Sequence, residues 1–314
     1  MEKRLMQAKS NLIFALTKTT LRNFMKYTTL NSYLKQRFGC KVYKVSLDGG
    51  FTCPNRDGLI DTRGCIFCSK GGSGDFAQDR NLNISEQIER GKQKVERKIK
   101  SGKYIAYFQA FTNTYAPVEK LRDLFTQAIN HPDIVALSIA TRPDCLGDDI
   151  LELLNELNKI KPIFVELGLQ TIHEETAKYI RRGYSIYVYD KAVDNLHKIG
   201  INVVTHVILG LPNESVDDML ETVKYVCKVT DGIKLQLLHI LKGTDLAKDY
   251  EQGKFEVLTL DEYVDIIKKC VQIIPKNVVI HRLTGDGAKK DLIAPLWSAD
   301  KKNVLNTINK ALNE

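Results

Sequence analysis

Apolar, β-branched runs recur along this chain with amphipathic helical patterns set between them, and this alternation restricts the fold more than any other feature. The runs cover residues 42–47, 104–108, 134–139, 163–169, 202–209 and 233–240, and the helical patterns cover 84–99, 118–130, 148–160, 188–199 and 216–229. Strands that are apolar on both faces need helices on both sides or around them, so the pattern indicates a parallel sheet covered by helices. Six units in succession predict an α/β fold, a partial (β/α)6 TIM-like barrel rather than a doubly wound sheet. A short helix at 30–38 leads it, and a strand near 278–281 extends it. No proline-rich linker, repeat or low-complexity tract interrupts the 314 residues, which favours one large domain. No apolar run approaches the roughly 20 residues that span a bilayer, so no membrane partner is expected.

In a parallel barrel, reactive groups gather where the strands end. Polar residues stand at those exits: Gln109, Thr112, Asn113 and Tyr115 after the second strand, Thr141-Arg142-Pro143-Asp144 after the third, Gln170-Thr171 after the fourth, and Asn213-Glu214 after the fifth. Asp144 and Glu214 read most simply as helix caps or turn residues.

The exit of the first strand carries Cys53, Cys65 and Cys68 within a glycine-rich loop. Three thiolates are one short of a closed metal site, so an iron-sulfur cluster held this way keeps one iron open for chemistry. Structural zinc prefers four Cys or His ligands, and no fourth follows at finger-like spacing, which leaves zinc the weaker alternative. Seven cysteines, an odd count with three in one loop, fit a reducing cytoplasm better than a disulfide scaffold. Cys40, Cys145, Cys227 and Cys270 read as small buried hydrophobes.

Lysine and arginine number 46 against 38 acidic residues, a net charge of +8 that favours polyanionic partners. The densest basic run is Arg90, Lys92, Lys94, Arg97, Lys98, Lys100 and Lys103, a solvated helix face or a phosphate-binding one. Residues 1–26 form a basic arm or an overextended start, and 27–314 form the core with its C-terminal extension.

The Cys65-Ile66-Phe67-Cys68 end of the cysteine loop, with an aromatic residue before the last cysteine, resembles the motif of the radical S-adenosylmethionine (SAM) superfamily. Eleven residues separate the first two cysteines where the common motif has three. That spacing, with Cys53-Pro54-Asn55-Arg56-Asp57-Gly58, Thr141-Arg142-Pro143-Asp144-Cys145 and His281-Arg282-Leu283-Thr284-Gly285-Asp286, is similar to the YtqA/YhcC branch. This branch is related to the radical subunit of Elongator and to oxygen-independent coproporphyrinogen oxidase.

The resemblance implies that Cys53, Cys65 and Cys68 hold a 4Fe-4S cluster whose open iron chelates SAM. It implies further SAM contacts from the turn bearing Gln109, Thr112 and Asn113, and from Gln170, Arg182 and His206. His206 stands where coproporphyrinogen-oxidase relatives carry an aspartate, and Ala140 where they carry a ribose-binding glutamate. The implied activity is reductive cleavage of SAM to a 5′-deoxyadenosyl radical, with flavodoxin or ferredoxin as the low-potential electron donor. No catalytic residue is assigned beyond the cluster, although Tyr115, Tyr184 and His281 are candidates for later steps. The implied substrate is tRNA, through conversion of wobble 5-carboxymethylaminomethyl-uridine to 5-aminomethyl-uridine. A radical enzyme acting on a small molecule and a noncatalytic metal-binding module are the alternatives.

Overall fold

A computed structural model describes residues 27–96, 102–285 and 287–314. The basic arm at 1–26, the Arg97, Lys98 and Lys100 part of the basic run, and Asp286 of the terminal motif lie outside the described residues. Strands β1 (Thr28–Thr29), β2 (Val42–Leu47), β3 (Lys103–Phe108), β4 (Ile134–Thr141), β5 (Ile163–Gln170), β6 (Asn202–Leu209), β7 (Gly232–Leu237) and β9 (Val279–Arg282) form one sheet in the order β1-β9-β7-β6-β5-β4-β3-β2. Every pairing in it is parallel, and β1 and β2 remain as unpaired edges, so the barrel is open.

The six expected strands run without interruption from the β2 edge to β7, and beyond β7 the sheet is extended by β9 and by β1, which at two residues is too short to leave a periodic signal. The expected run at 233–240 is divided: β7 ends at Leu237, and Ile240–Leu241 form a separate strand, β8, paired antiparallel with β10 (Leu292–Ala294). Ten described helices flank or follow the strands: α1 (Leu30–Phe38), α2 (Ile84–Glu96), α3 (Val118–Asn130), α4 (Asp148–Asn158), α5 (Glu174–Tyr179), α6 (Ile186–Lys198), α7 (Val216–Val226), α8 (Asp245–Glu251), α9 (Leu260–Ile273) and α10 (Lys301–Asn313). Each of α2, α3, α4, α6 and α7 follows a strand and returns the chain for the next parallel one.

Side chains alternate across the strands, and the two faces differ in chemistry. On β5, Val165, Leu167 and Leu169 face the helix layer and join its core, where Phe108 and Phe125 meet edge-on with centroids 4.9 Å apart. Phe164 instead joins Leu34, Val42, Ile105, Ala136 and Val204 in an apolar cluster at the beginning of the strands. Helix α1 packs against both β2 and β9 there, with Tyr33 edge-on to Phe164, and so closes that end of the barrel. Cys40 packs against the same cluster, at the far end from the cysteine loop.

Lys92 and Lys103 are also at this far end, because α2 runs back toward the start of β3. Lys92 is spent on Glu89 (2.7 Å) and Asp133 (2.6 Å), and Lys103 lies 3.8 Å from Asp133. These two lysines are paired and stand opposite the cavity mouth.

Candidate active site

The loop at 48–83 leaves β2 and builds a site from its own hydrogen bonds. Arg56 and Asp57 donate their backbone N–H groups to the Cys53 carbonyl, and Gly64 N–H donates to Asn55 O at 2.7 Å. The eleven residues between Cys53 and Cys65 thereby fold back on themselves and deliver Cys65 close to Cys53. Gly64 has φ +77°, and a Cβ there would lie 2.9 Å from Arg56 Nε, so this close return needs glycine. The Asn55 amide donates to the Arg181 carbonyl (2.7 Å) and to Cys65 Sγ (3.5 Å), while Arg56 Nη2 donates to the carbonyls of Cys68 (2.9 Å) and Ser69 (2.6 Å).

Cys53, Cys65 and Cys68 line one cavity of about 250 Å³ that runs into the barrel. Burial pushes the Cys68 thiol up to about 12 and raises Cys65 as well, against the pull of nearby arginines. Thiolates here need the positive charge of metal, which fits an iron-sulfur cluster.

Gln109, Thr112, Gln170, Arg182 and His206 line the same cavity. Gln170 ends β5 at φ +73°, where the β5–β6 register shifts, and its buried Oε1 has no partner. An acceptor held in a strained backbone position and left unspent is ready for a donor on a bound molecule. Gln109 Nε2 donates to Ser73 O at 2.8 Å and ties the cavity wall to the cysteine loop. Arg182 is 2% exposed and commits its three nitrogens to the Tyr184 and Thr171 carbonyls and to Glu174. Asn113 is not brought to the cavity: it is fully buried and its amide donates to Ala140 O at 2.8 Å.

Asp144 caps no helix by its side chain; it accepts Arg142 Nε (2.9 Å) and Nη2 (2.7 Å), correcting the cap reading. Glu214 likewise accepts Thr171 Oγ1 at 2.5 Å, joining the exits of β5 and β6. Arg142 and Arg182 each stack 5.0 Å from the Tyr184 ring centroid, and the Tyr184 hydroxyl donates to Gly168 O. Of the three later-step candidates, Tyr184 lines the cavity, Tyr115 faces a neighbouring groove, and His281 lies in a cleft at the closed end.

Sequence reading missed the cavity floor. Glu166 is wholly buried and accepts Lys44 on Oε1 and Lys234 on Oε2; Ser138 Oγ donates to Oε1 at 2.5 Å, and His206 Nε2 to Oε2 at 2.8 Å. Burial works to raise the Glu166 carboxyl, but the two ammonium groups outweigh it and hold it well below its usual range. Burial, with Lys234 beside it, lowers His206 to about 4, so its imidazole is neutral at pH 7.

Three half-buried thiols at the mouth of an open parallel barrel, above a charged polar floor, make a site able to hold a metal cofactor in a barrel enzyme. Residues 62–226 match the family described as the radical SAM superfamily, and residues 230–314 match the Radical_SAM C-terminal domain. The chain is 51% identical over 288 residues to YtqA of Bacillus subtilis (strain 168), covering 91% of this chain and 89% of YtqA. It is 38% identical over 283 residues to YhcC of Escherichia coli (strain K12), covering 90% of each. The structure is similar to the archaeal Elp3 of Methanocaldococcus infernus, with a TM-score of 0.62 at 20% identity, over 85% of this chain but only 63% of that one. A shorter match, 30% identical over 156 residues, is to a tRNA uridine(34) acetyltransferase of the same archaeon, covering 48% of this chain and 29% of that protein. The chain belongs to the radical SAM superfamily. Within it, this is an enzyme of the YtqA/YhcC branch, and its family uses a 4Fe-4S cluster and SAM for reductive cleavage.

Proposed function

We propose that this radical SAM enzyme trims the wobble uridine of tRNA, converting 5-carboxymethylaminomethyl-uridine to 5-aminomethyl-uridine. The observation that carries the reading is the match to a tRNA uridine(34) acetyltransferase, which falls on 156 residues of this chain. The mouth supports it: Phe76 lines the cavity while 51% exposed, which suits stacking on a base turned out of its strand. Exposed Lys70, Lys242, Lys289 and Lys290 lie beside cavity-lining segments, where phosphates of a nucleic acid would pass.

In this reading Cys53, Cys65 and Cys68 hold the cluster, and Gln109, Thr112, Gln170 and His206 line the SAM site. Arg182 and Asn113 act behind them by fixing the walls. The cluster with SAM supplies a radical able to take hydrogen from carbon. Loss of a hydrogen atom from the glycine-derived carbon to the radical, then of one electron to a one-electron acceptor of the flavodoxin or ferredoxin class and of the N–H proton to water, would leave an imine, which water splits into the amine and glyoxylate. The barrel's own task is to hold that carbon in reach and to exclude stray donors. A flavodoxin or ferredoxin supplies the reducing electron.

Mass spectrometry of tRNA nucleosides from a deletion strain tests this. Accumulation of 5-carboxymethylaminomethyl-uridine with loss of the 5-aminomethyl product is expected. An unchanged profile moves the reading to a small-molecule substrate.

A further inference from the structure

Two lysines share one carboxylate at the cavity floor. Glu166 takes four donors, from Lys44, Ser138, His206 and Lys234, and so has no acceptor capacity left. Lys234 Nζ is also 3.2 Å from Tyr107 Oη and 4.6 Å from the Tyr107 ring centroid. These two hydrogen bonds leave one of its three N–H donors unspent, and Lys234 lines the cavity although its side chain is only 6% exposed. Arg282 pairs with Lys234 in the β7–β9 register and lines the cavity beside it.

Lys44 and Lys234 converge on the single carboxylate of Glu166, and neutral His206 adds no charge, so the set carries a surplus positive charge whenever Lys234 is protonated. The other acidic residue lining the cavity among the described residues is Asp75, which stays with Ser69 in the cysteine loop. Surplus cationic charge in a buried place is costly unless something pairs with it. Burial, with Lys44 and Arg282 nearby, accordingly lowers Lys234 to about 7 despite Glu166. A group kept in such a position inside a cavity points to a ligand of opposite charge.

We infer that the floor, with Lys234 as the contact and Arg282 beside it, is a subsite for a carboxylate carried by the substrate. The inference rests on the wobble-uridine reading for the identity of that substrate, though not for its charge. An anchor at the floor explains which hydrogen is taken. The glycine-derived carbon is bonded directly to its carboxylate, so gripping the carboxylate from below presents that carbon toward the cysteine end.

The test uses reconstituted full-length holoenzyme, with iron content and absorption spectrum as the measure of folding. Lys234→Met should raise KM for tRNA bearing 5-carboxymethylaminomethyl-uridine about 10- to 100-fold, the range for losing a hydrogen bond to a charged group. It should also erase the wild-type preference for that nucleoside over its carboxamide, and Lys234→Arg should restore the preference. Should the methionine variant fail to hold iron, Lys234→Gln removes the charge while keeping a donor toward Glu166, and the same comparison applies. Unchanged discrimination in the neutral variants would overturn the subsite while leaving the tRNA reading intact, as would a loss of SAM affinity equal to the loss for substrate. A second arm uses no RNA. Radiolabelled sarcosine, which carries the same amine and carboxylate, should be retained in equilibrium dialysis by wild type in preference to sarcosinamide, and the preference should vanish with Lys234→Met. That result sustains the subsite even if the tRNA is not a substrate; equal retention by wild type and variant overturns it.

Discussion

His206 is an acid-sensitive joint, because its neutral imidazole donates to a buried carboxylate that two lysines already hold. Its proton affinity is depressed in the folded state to about 4, against about 6.5 in the unfolded chain. Between those values the unfolded chain binds the extra proton, so stability falls as pH falls through that window. Between pH 7 and pH 5 the loss is about 2 kcal/mol. Glu166, held low by the two ammonium groups, adds stability that is lost as pH falls from the ordinary carboxylate range through its own lower one. Urea denaturation of wild type should therefore show a midpoint that drops from pH 7 to pH 5, and His206→Gln should show a shallower drop, because buried His281, also held well below its usual range, still contributes; parallel slopes would exclude the joint. The cysteines make a second prediction at this scale. Alanine at Cys53, Cys65 or Cys68 should abolish loading of about four irons per chain, whereas Cys40→Ala should load normally, since Cys40 packs at the closed end. Iron retained in the triple variant would falsify the ligand assignment. The cysteines were legible because their spacing is itself the signal. Glu166 and Lys234 were lost inside runs that are mostly apolar, although Glu166 alternates with Gly168 and Gln170, and Lys234 with Gln236, on the cavity face.

At the scale of elements, the cysteine loop is held by side chains, Asn55 and Arg56 among them, and by backbone bonds to neighbouring segments, not by secondary structure of its own. Asn55 joins it to the segment after α5, and Arg56 clamps the Cys68–Ser69 end while lying 5.7 Å from the Phe111 ring centroid. Asn55→Ala and Arg56→Ala should each speed iron release to a chelator several-fold while leaving far-UV circular dichroism unchanged. A release rate equal to wild type would show that the loop closes without them. Helix α9 carries a capping box in which Thr259 accepts from Glu262 N–H and Glu262 accepts from Thr259 N–H. Thr259→Ala should cost about 1 kcal/mol of unfolding free energy by chemical denaturation. The central strands and helices were legible because a parallel sheet writes apolar runs and amphipathic stripes in turn. The division of 233–240 was not, because β7 and β8 are equally apolar and only their hydrogen-bond partners differ.

For the whole molecule, charge is arranged so that total charge and useful charge are not the same thing. The basic run that dominates the sequence reaches the start of β3, where Lys92 and Lys103 meet Asp133, while the mouth is edged by Lys70, Lys242, Lys289 and Lys290. Replacing Lys242, Lys289 and Lys290 by glutamate should weaken tRNA binding and flatten its salt dependence by up to about 0.9 in log–log slope per lost phosphate contact. Lys94→Glu should leave both unchanged. Equal effects from the two ends, measured by filter binding across a salt series, would show that RNA contacts the far end as well. Among the described residues no helix is long and apolar enough to cross a membrane.

The closure of one barrel end by α1 has a kinetic consequence. With Tyr33, Leu34 and the strand-start cluster packed across the bottom, that end is closed among the described residues, and cofactor, substrate and products enter and leave on the mouth side. Whatever reaches the floor first can be covered by whatever comes after it, and it leaves last. Traffic through such a cavity is a queue, so the order of arrivals is set by depth before affinity has any say.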